Sequence, residues 1–272
     1  MTTIKAALVV QRCPAGFIEE NIESAQSFIS EAVEKGARII VFPEMNLTGY
    51  ATGPDILSIA RPLCQEILEP FIQTAHKWHV TILAGLAEKA ANGQIFATHC
   101  VFEPDRSVDI YRKIHVSPFE KIYFSAGNKI SVFNSCNLSF GVQLCYDAHF
   151  PELSLAMALK RADIIFIPHA SPRGSSKEKY HSWLRHLRAR AFDNGLYIAA
   201  FNQTGTNGKT LTFPGLCLLI GPDGNIAYKS LEDKEGVHII HINKQILNEI
   251  RSHKMKYFLP HRRTDIFHVG GY

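Results

Sequence analysis

Short apolar, β-branched runs alternate along the chain with longer segments of helical periodicity, and this alternation constrains the fold more than any other feature. The run 4–10 precedes a helical pattern over about 17–36, and the run 37–42 precedes another over about 58–78. Such alternation is typical of α/β proteins, in which helices cover sheets. Further strands are predicted at 81–88, 96–102, 108–114, 139–145, 162–168, 196–202, 215–221 and 237–242, and further helices after Pro151 and over about 178–194.

An internal similarity bears on how these elements are arranged. The segments KGARIIVFP (35–43) and KRADIIFIP (160–168) align at an offset of 125 residues. Buried strands resemble one another, so this is either a chance likeness or the trace of two similar βα halves packed face to face. In the second case Glu44 and His169, which follow the two prolines, lie at the carboxyl ends of related strands, where α/β sheets usually bind ligands. Because no Pro-, Gly- or Ser-rich linker divides the chain, we expect one domain over 1–272.

Charge and composition favour a small-molecule partner. The chain has 29 basic and 25 acidic residues, a formal charge of +4 that is too small for a nucleic-acid footprint, and the basic helix at 181–190 is typical of a solvated face. No apolar run approaches the roughly 18 residues of a membrane span, and the segment MTTIKAALVVQ (1–11) lacks the basic region, long apolar region and cleavage site that are typical of a signal peptide, so we expect a cytoplasmic protein. The six cysteines show no CxxC spacing and are expected to be reduced; the histidine pairs lack the pattern of metal ligands.

The segment SFGVQLCYDAHFPE (139–152) carries the first candidate for catalysis. An apolar strand leads to Cys145, and Pro151 opens a helix a few residues later, so the pattern predicts a strand–turn–helix elbow. Such a turn exposes one side chain at the sheet's end and leaves backbone N–H groups free to bind an oxyanion. A single cysteine on an apolar strand is often only a small core residue, so the elbow alone leaves both interpretations open.

Two more strand ends present reactive groups. VFPEMNLTGY (41–50) places Glu44 after a strand, and YRKIHVSPFE (111–120) places Lys113 at the end of another. In order and spacing these segments and the elbow resemble the glutamate, lysine and cysteine motifs of the nitrilase superfamily of carbon–nitrogen hydrolases. The resemblance extends over nearly the whole chain, through the RARA-containing segment 181–205 and the terminal segment 256–267. It implies a four-layer α-β-β-α sandwich and a homodimer or larger homo-oligomer.

The resemblance also implies a role for each residue. Glu44 would accept the thiol proton, Cys145 would attack the carbonyl carbon, and Lys113 with the backbone N–H of Tyr146 would bind the oxyanion. Glu120 matches an additional glutamate that family members carry after the lysine; its alternative is a surface acid paired with a neighbouring lysine. Ammonia would leave, and water would hydrolyse the thioester with no metal or organic cofactor. The residue types fit this chemistry, since a nearby ammonium favours a thiolate and flanking carboxylates keep a buried lysine charged.

The substrate is constrained more weakly. Cys-Tyr-Asp at 145–147 resembles amidases or carbamoylases more than nitrile-cleaving members, which typically carry Cys-Trp-Glu. Relatives that act on acidic substrates often place arginine where this chain has Ala148 and His149, so a neutral or weakly anionic amide or carbamoyl substrate is favoured, although Arg173 is a possible anion contact. Residues predicted to line the pocket, each with ordinary packing as the alternative, are Tyr50, Phe119, Tyr123, His149, His169 and Trp183.

Three alternatives remain open at the level of sequence. The same triad supports nitrile hydrolysis, or acyl transfer in which another acceptor replaces water. A Cys-His dyad of Cys145 with His149 or His169 would leave Glu44 and Lys113 without a role. A binding protein with a silent site would keep the fold, but all three triad residues are intact.

Overall fold

The computed structural model describes residues 3–266, which form two six-stranded sheets packed face to face and covered by helices. The first sheet has the strand order β14-β1-β2-β3-β4-β5. Its strands β1, β2 and β3 are parallel, whereas β14, β4 and β5 pair antiparallel with their neighbours. The bounds are β1 (Thr3–Val10), β2 (Ile39–Val41), β3 (Thr81–Lys89), β4 (Ile95–Phe102), β5 (Val108–Arg112) and β14 (Gly236–Asn243).

The second sheet has the order β6-β7-β8-β9-β12-β13. Strands β7, β8 and β9 are parallel, and β6, β12 and β13 pair antiparallel with their neighbours. A short hairpin, β10 with β11, extends from the end of β9. The bounds are β6 (Val132–Ser135), β7 (Leu138–Val142), β8 (Ile164–His169), β9 (Tyr197–Asn202), β10 (Gly205–Thr206), β11 (Thr212–Phe213), β12 (Cys217–Ile220) and β13 (Ile226–Ser230).

Helices form the two outer layers of the four-layer sandwich, and this confirms the predicted fold class. Alanine and phenylalanine on α1 and α3, such as Ala25 and Phe71, pack on the outer face of the first sheet, and α4 and α5 pack on the second. No helix within residues 3–266 has the length and hydropathy that crossing a bilayer requires. The bounds are α1 (Ile18–Glu34), α2 (Asp55–Ile59), α3 (Gln65–Trp78), α4 (Pro151–Leu159), α5 (Ser176–Asn194) and α6 (Lys244–Ser252), with 3₁₀ helices at Cys145–His149 and Leu259–His261.

The two sheets repeat one topology, which favours the two-halves interpretation of the internal similarity. Strand β2 lies between the parallel strands β1 and β3, just as β8 lies between β7 and β9. The aligned residues occupy matching positions: 39–41 pair with 6–8 and 81–83, and 164–166 pair with 140–142 and 197–199. The carboxyl ends of β2 and β8 therefore point toward the same region of the interface between the sheets.

Two boundaries differ from the sequence predictions. The helix expected over 58–78 is interrupted: α2 ends at Ile59, Ala60 is extended, and α3 begins only at Gln65. Pro62 explains the break, because a proline disfavours helical backbone in the residue before it. The strand expected over 139–145 ends at Val142, so Cys145 lies beyond the strand and opens a 3₁₀ helix. The terminal motif 256–267 lies within the described residues except for Phe267.

Candidate active site

The predicted elbow is present and holds Cys145 in an unusual conformation. Cys145 is half-buried, begins the 3₁₀ helix, and has φ +41°, a left-handed value that is strained for a residue with a side chain. Tyr146 follows it in the first helical turn, where backbone N–H groups lack an intrahelical acceptor. The elbow thus places a thiol next to a backbone donor at the end of the second sheet.

Asp147 fixes this elbow, and its role was not predicted from the sequence. Its carboxylate is fully buried; Oδ2 accepts the Leu144 N–H at 3.0 Å and the Tyr111 hydroxyl at 2.7 Å. Oδ1 accepts the His115 N–H at 2.8 Å and lies 2.9 Å from its Nδ1. Asp147 therefore ties the cysteine elbow to the segment that carries Lys113. A signal was present, since an aspartate directly after an elbow is poised to cap the turn's own N–H groups.

Glu44 lies in a wholly buried loop that follows β2. The loop is attached to β3, because Asn46 Oδ1 accepts the Gly85 N–H at 2.8 Å and Thr48 Oγ1 accepts the Ala87 N–H at 3.0 Å. The Glu44 carboxylate, 1% exposed, accepts the Lys113 ammonium on Oε1 at 2.8 Å and the Ala170 N–H on Oε2 at 3.0 Å. One carboxylate thus joins the ends of β2, β5 and β8.

Lys113 follows β5 and lies between two carboxylates. Besides its contact with Glu44, its Nζ is 3.2 Å from Oε2 and 3.5 Å from Oε1 of Glu120. Glu120 is itself held by the Tyr50 hydroxyl at 2.9 Å and by the Ser117 N–H at 3.2 Å. The surface pairing considered for Glu120 is not observed, since the residue is buried and faces Lys113.

The charges of this cluster favour a protonated thiol beside a basic carboxylate. Burial and the neighbouring Glu44 raise the pKa of the Cys145 thiol above its ordinary value, although Lys113 opposes the shift. Burial also raises the pKa of Glu44, against the effect of Lys113. Burial disfavours the Lys113 ammonium, but Glu44 and Glu120 more than offset this and hold its pKa well above normal. The lysine therefore stays charged, and the thiol needs a proton acceptor, which Glu44 is placed to be.

Four of the predicted pocket residues lie close to this cluster. Tyr50 donates to Glu120, and the half-buried Tyr123 follows Glu120 in the same turn. His169 and Trp183 are buried, and their rings stack with centroids 3.9 Å apart. His169 directly precedes Ala170, whose N–H binds Glu44.

The other three lie on the surface of the chain. Phe119 is 90% exposed although it precedes Glu120, because the turn directs the two side chains to opposite sides. His149 is exposed and stacks on His186 at 4.6 Å. Arg173 is exposed in a tight turn with φ +68°, and its N–H donates to the Thr212 carbonyl.

A second lysine near the thiol was not predicted. Lys179, in the first turn of α5, is half-buried, and its charge and that of Cys145 influence one another. In the sequence it is one of several lysines in a polar helix start, and nothing in the pattern separates it from its exposed neighbour Lys177. Within residues 3–266 no group of three or more His, Cys, Asp or Glu side chains is arranged to hold a metal ion.

Comparisons with known proteins identify the family of the chain. The family model for carbon-nitrogen hydrolases matches residues 5–252. A probable nitrilase of Schizosaccharomyces pombe is 30% identical over 226 residues, 81% of each chain, and a deaminated glutathione amidase of Synechocystis is 30% identical over 252 residues, 86% of this chain and 90% of its own. A carbon-nitrogen hydrolase from Helicobacter pylori has a solved structure with a TM-score of 0.87 at 28% identity, covering 98% of this chain and 97% of its own.

The chain therefore belongs to the carbon–nitrogen hydrolase family, the nitrilase superfamily that its motifs resemble. The predicted class of activity, hydrolysis of carbon–nitrogen bonds other than peptide bonds, is confirmed with it.

Proposed function

We propose that this protein hydrolyses a linear amide or an N-carbamoyl compound through a thioester on Cys145 and releases ammonia. The observation that carries the proposal is the buried carboxylate–ammonium–carboxylate chain of Glu44, Lys113 and Glu120 beside the thiol of a strained elbow. A silent binding protein would gain nothing from burying three charged side chains, since their desolvation is costly. Relatives named as amidases support cleavage of an amide, and because others are named as nitrilases, nitriles belong in the test.

Acylation begins with proton transfer from the Cys145 thiol to Glu44. The sulfur forms a bond to the carbonyl carbon, and the carbonyl π electrons move to oxygen, where the Lys113 ammonium and the Tyr146 N–H stabilise the negative charge. Glu44 then returns its proton to the nitrogen, the carbon–nitrogen bond breaks, and ammonia leaves. The raised pKa of Glu44 suits both steps, because a carboxyl that is too acidic would neither take the thiol proton nor hold it for the leaving group.

Deacylation uses the same groups with water as the nucleophile. Glu44 accepts a proton from water as the oxygen attacks the thioester carbon; collapse of the second tetrahedral intermediate breaks the carbon–sulfur bond, the carboxylic acid leaves, and the Cys145 thiolate takes the proton back from Glu44. Glu120 would act on Lys113 rather than on the substrate. Its contact at 3.2 Å helps keep the ammonium charged and fixes its direction.

We also propose that the enzyme works in the cytoplasm as a homodimer or larger homo-oligomer. All six cysteines are free thiols, as a reducing compartment would keep them. Exposed apolar side chains on the outer helical layer, among them Leu159, Phe192 and Phe258, offer a surface for association. Light scattering coupled to size-exclusion chromatography tests the assembly; a monomer at micromolar concentration would contradict it.

Ammonia release from a panel of primary amides, N-carbamoyl amines, N-carbamoyl amino acids and nitriles tests the proposed reaction. We expect release from one class of amide or carbamoyl compound by the wild type and loss of at least a thousandfold in Cys145→Ala. Cys136→Ala, at a half-buried cysteine in the turn between β6 and β7, at the end of β7 opposite to the one that leads to Cys145, is the matched control and should retain activity. Equal release by Cys145→Ala would contradict the proposal, and nitriles as the only substrates would replace the amidase assignment.

A further inference from the structure

Within residues 3–266, Lys179 is a cation without a charged partner. Its Nζ donates to the Ser171 hydroxyl at 2.6 Å and to the Pro172 carbonyl at 2.9 Å, both neutral acceptors. Among the described residues, no carboxylate oxygen lies within 4.0 Å of this ammonium. An ammonium has three N–H groups, so one is left for a further acceptor. Charged side chains inside a protein are usually paired with an opposite charge, and the described part of the chain places no carboxylate at Lys179.

The surrounding contacts place Lys179 at the catalytic site. Its acceptor Ser171 follows Ala170, whose N–H binds Glu44. Ser171 is held firmly, because Asn202 accepts its N–H at 2.9 Å and donates to its carbonyl at 3.0 Å. The helix α5 that carries Lys179 also packs against the 3₁₀ helix that begins with Cys145. Lys179 therefore lies on a helix that contacts the cysteine elbow, and its acceptor Ser171 adjoins the residue that binds Glu44.

The charged side chains around the Cys145 thiol favour the binding of one more anion. Glu44 and Glu120 both pair with Lys113, and Lys179 adds a second positive charge near the thiol. Arg173, which precedes Lys179 in the same loop and helix start, adds a positive charge that together with burial lowers the pKa of Lys179. Two neighbouring cations that form no salt bridge within residues 3–266 attract a carboxylate more strongly than either alone.

We propose that Lys179 binds a carboxylate of the substrate, with Arg173 at the outer edge of this subsite. The preferred substrates are then short linear amides whose acyl chain ends in a carboxylate. This inference rests on the proposed amide hydrolysis and deepens it by naming the substrate class. The inferred substrate differs from the neutral or weakly anionic substrate expected from the sequence. That expectation was based on the lack of arginine at Ala148 and His149, whereas the cation inferred here is Lys179 on α5.

The test compares succinamate with 4-methylpentanamide, in which an isopropyl group replaces the carboxylate. In Lys179→Met, we expect the ratio of kcat/KM for succinamate to that for 4-methylpentanamide to fall about 30-fold, mainly through KM, since hydrogen bonds to charged groups contribute at this scale. Lys179→Arg should recover part of the ratio. Lys177→Met, an exposed lysine two residues away on the same helix, is the matched control and should leave the ratio unchanged.

Two results would overturn the inference. An unchanged ratio in Lys179→Met would show that the carboxylate is bound elsewhere or not at all. Equal losses for both amides, with a shifted pH profile of Cys145 alkylation by iodoacetamide, would show that Lys179 acts on the thiol and not on the substrate.

Alkylation also separates this inference from the proposed function. If the wild type releases no ammonia from any amide, the proposed function fails, yet succinate can still compete with iodoacetamide for the site. Protection of Cys145 by succinate in the wild type, lost in Lys179→Met and retained in Lys177→Met, would support the carboxylate subsite. Equal labelling of the wild type with and without succinate would overturn it.

Discussion

Glu44 and His169 occupy related positions in the two halves of the sandwich, yet they differ in charge. Both follow the proline of the repeated segment, at the carboxyl ends of β2 and β8. Glu44 is bound by Lys113 and by a backbone N–H, and burial raises its pKa. His169 is stacked on Trp183, its Nδ1 contacts the Ile167 carbonyl at 2.8 Å, and burial lowers its pKa to about 3.

The difference shows that the backbone repeat supplies positions, while neighbouring elements supply chemistry. The first half receives Lys113 from β5, and the second half receives an aromatic ring from α5. A buried carboxylate beside an ammonium can exchange protons, whereas a histidine that stays neutral at physiological pH contributes only packing. We propose that only the Glu44 site takes part in catalysis, and substitutions at both positions and around them test this asymmetry.

The largest expected effect is that of Glu44→Gln. Gln is nearly isosteric and can still accept the Ala170 N–H, but it cannot take the thiol proton, so kcat for ammonia release should fall by about 10³-fold, within the usual range for loss of a general base. His169→Gln at the related position should lower kcat less than tenfold. Steady-state kinetics on the best amide of the panel, with circular dichroism as the folding control, measures both. Similar losses in the two variants would remove the asymmetry.

Lys113→Met should be nearly as damaging and also destabilising. Removing one partner of a buried ion pair costs about 3–5 kcal/mol, here with two carboxylates left facing each other. We expect loss of activity of at least about a hundredfold, since an oxyanion donor is lost. Survival of activity would instead favour a Cys-His dyad. If the variant does not fold, Lys113→Met with Glu120→Gln lowers the uncompensated charge and repeats the test.

The proposed catalytic residues could be predicted from the sequence better than the residues that surround them. Glu44, Lys113 and Cys145 could be placed because each follows a recognisable strand, and parallel strands bring their carboxyl ends together. Asp147 and Lys179 act through contacts between segments distant in the chain, with Tyr111 and with Ser171, that no local pattern encodes. Phe119 shows the same limit, since the turn that buries Glu120 directs its aromatic neighbour outward.

The low pKa of His169 predicts that the free energy of unfolding depends on pH. The pKa of His169 is about 3 in the folded protein and about 6.5 when unfolded, so the unfolded state binds the extra proton below pH 6.5. The contribution of His169 to the free energy of unfolding is therefore fully present above pH 6.5. It is lost as the pH falls toward 3, by up to about 1.4 kcal/mol per pH unit. His169→Phe should therefore lose less unfolding free energy than the wild type between pH 6.5 and 5. Urea unfolding at both pH values measures this; parallel losses in the two proteins would contradict it.

The smallest effect is expected from Phe119→Ser. The side chain is 90% exposed, and surface substitutions usually change the free energy of unfolding by less than about 0.5 kcal/mol. We expect kcat/KM to change less than about twofold, against a larger loss in Tyr50→Phe, which removes a hydrogen bond to Glu120. A greater loss in Phe119→Ser would show that this ring lines the substrate site, for example within an oligomer.

The acyl-enzyme itself gives the most direct test of the catalytic account. Wild-type protein quenched in acid during turnover should carry, on the peptide containing Cys145, a mass increase equal to the substrate minus ammonia. Hydroxylamine should divert the acid product to the hydroxamate at an unchanged rate of ammonia release if acylation limits the rate. Full ammonia release with neither a Cys145 adduct nor a hydroxamate would contradict the account, because water would then attack the amide without a thioester.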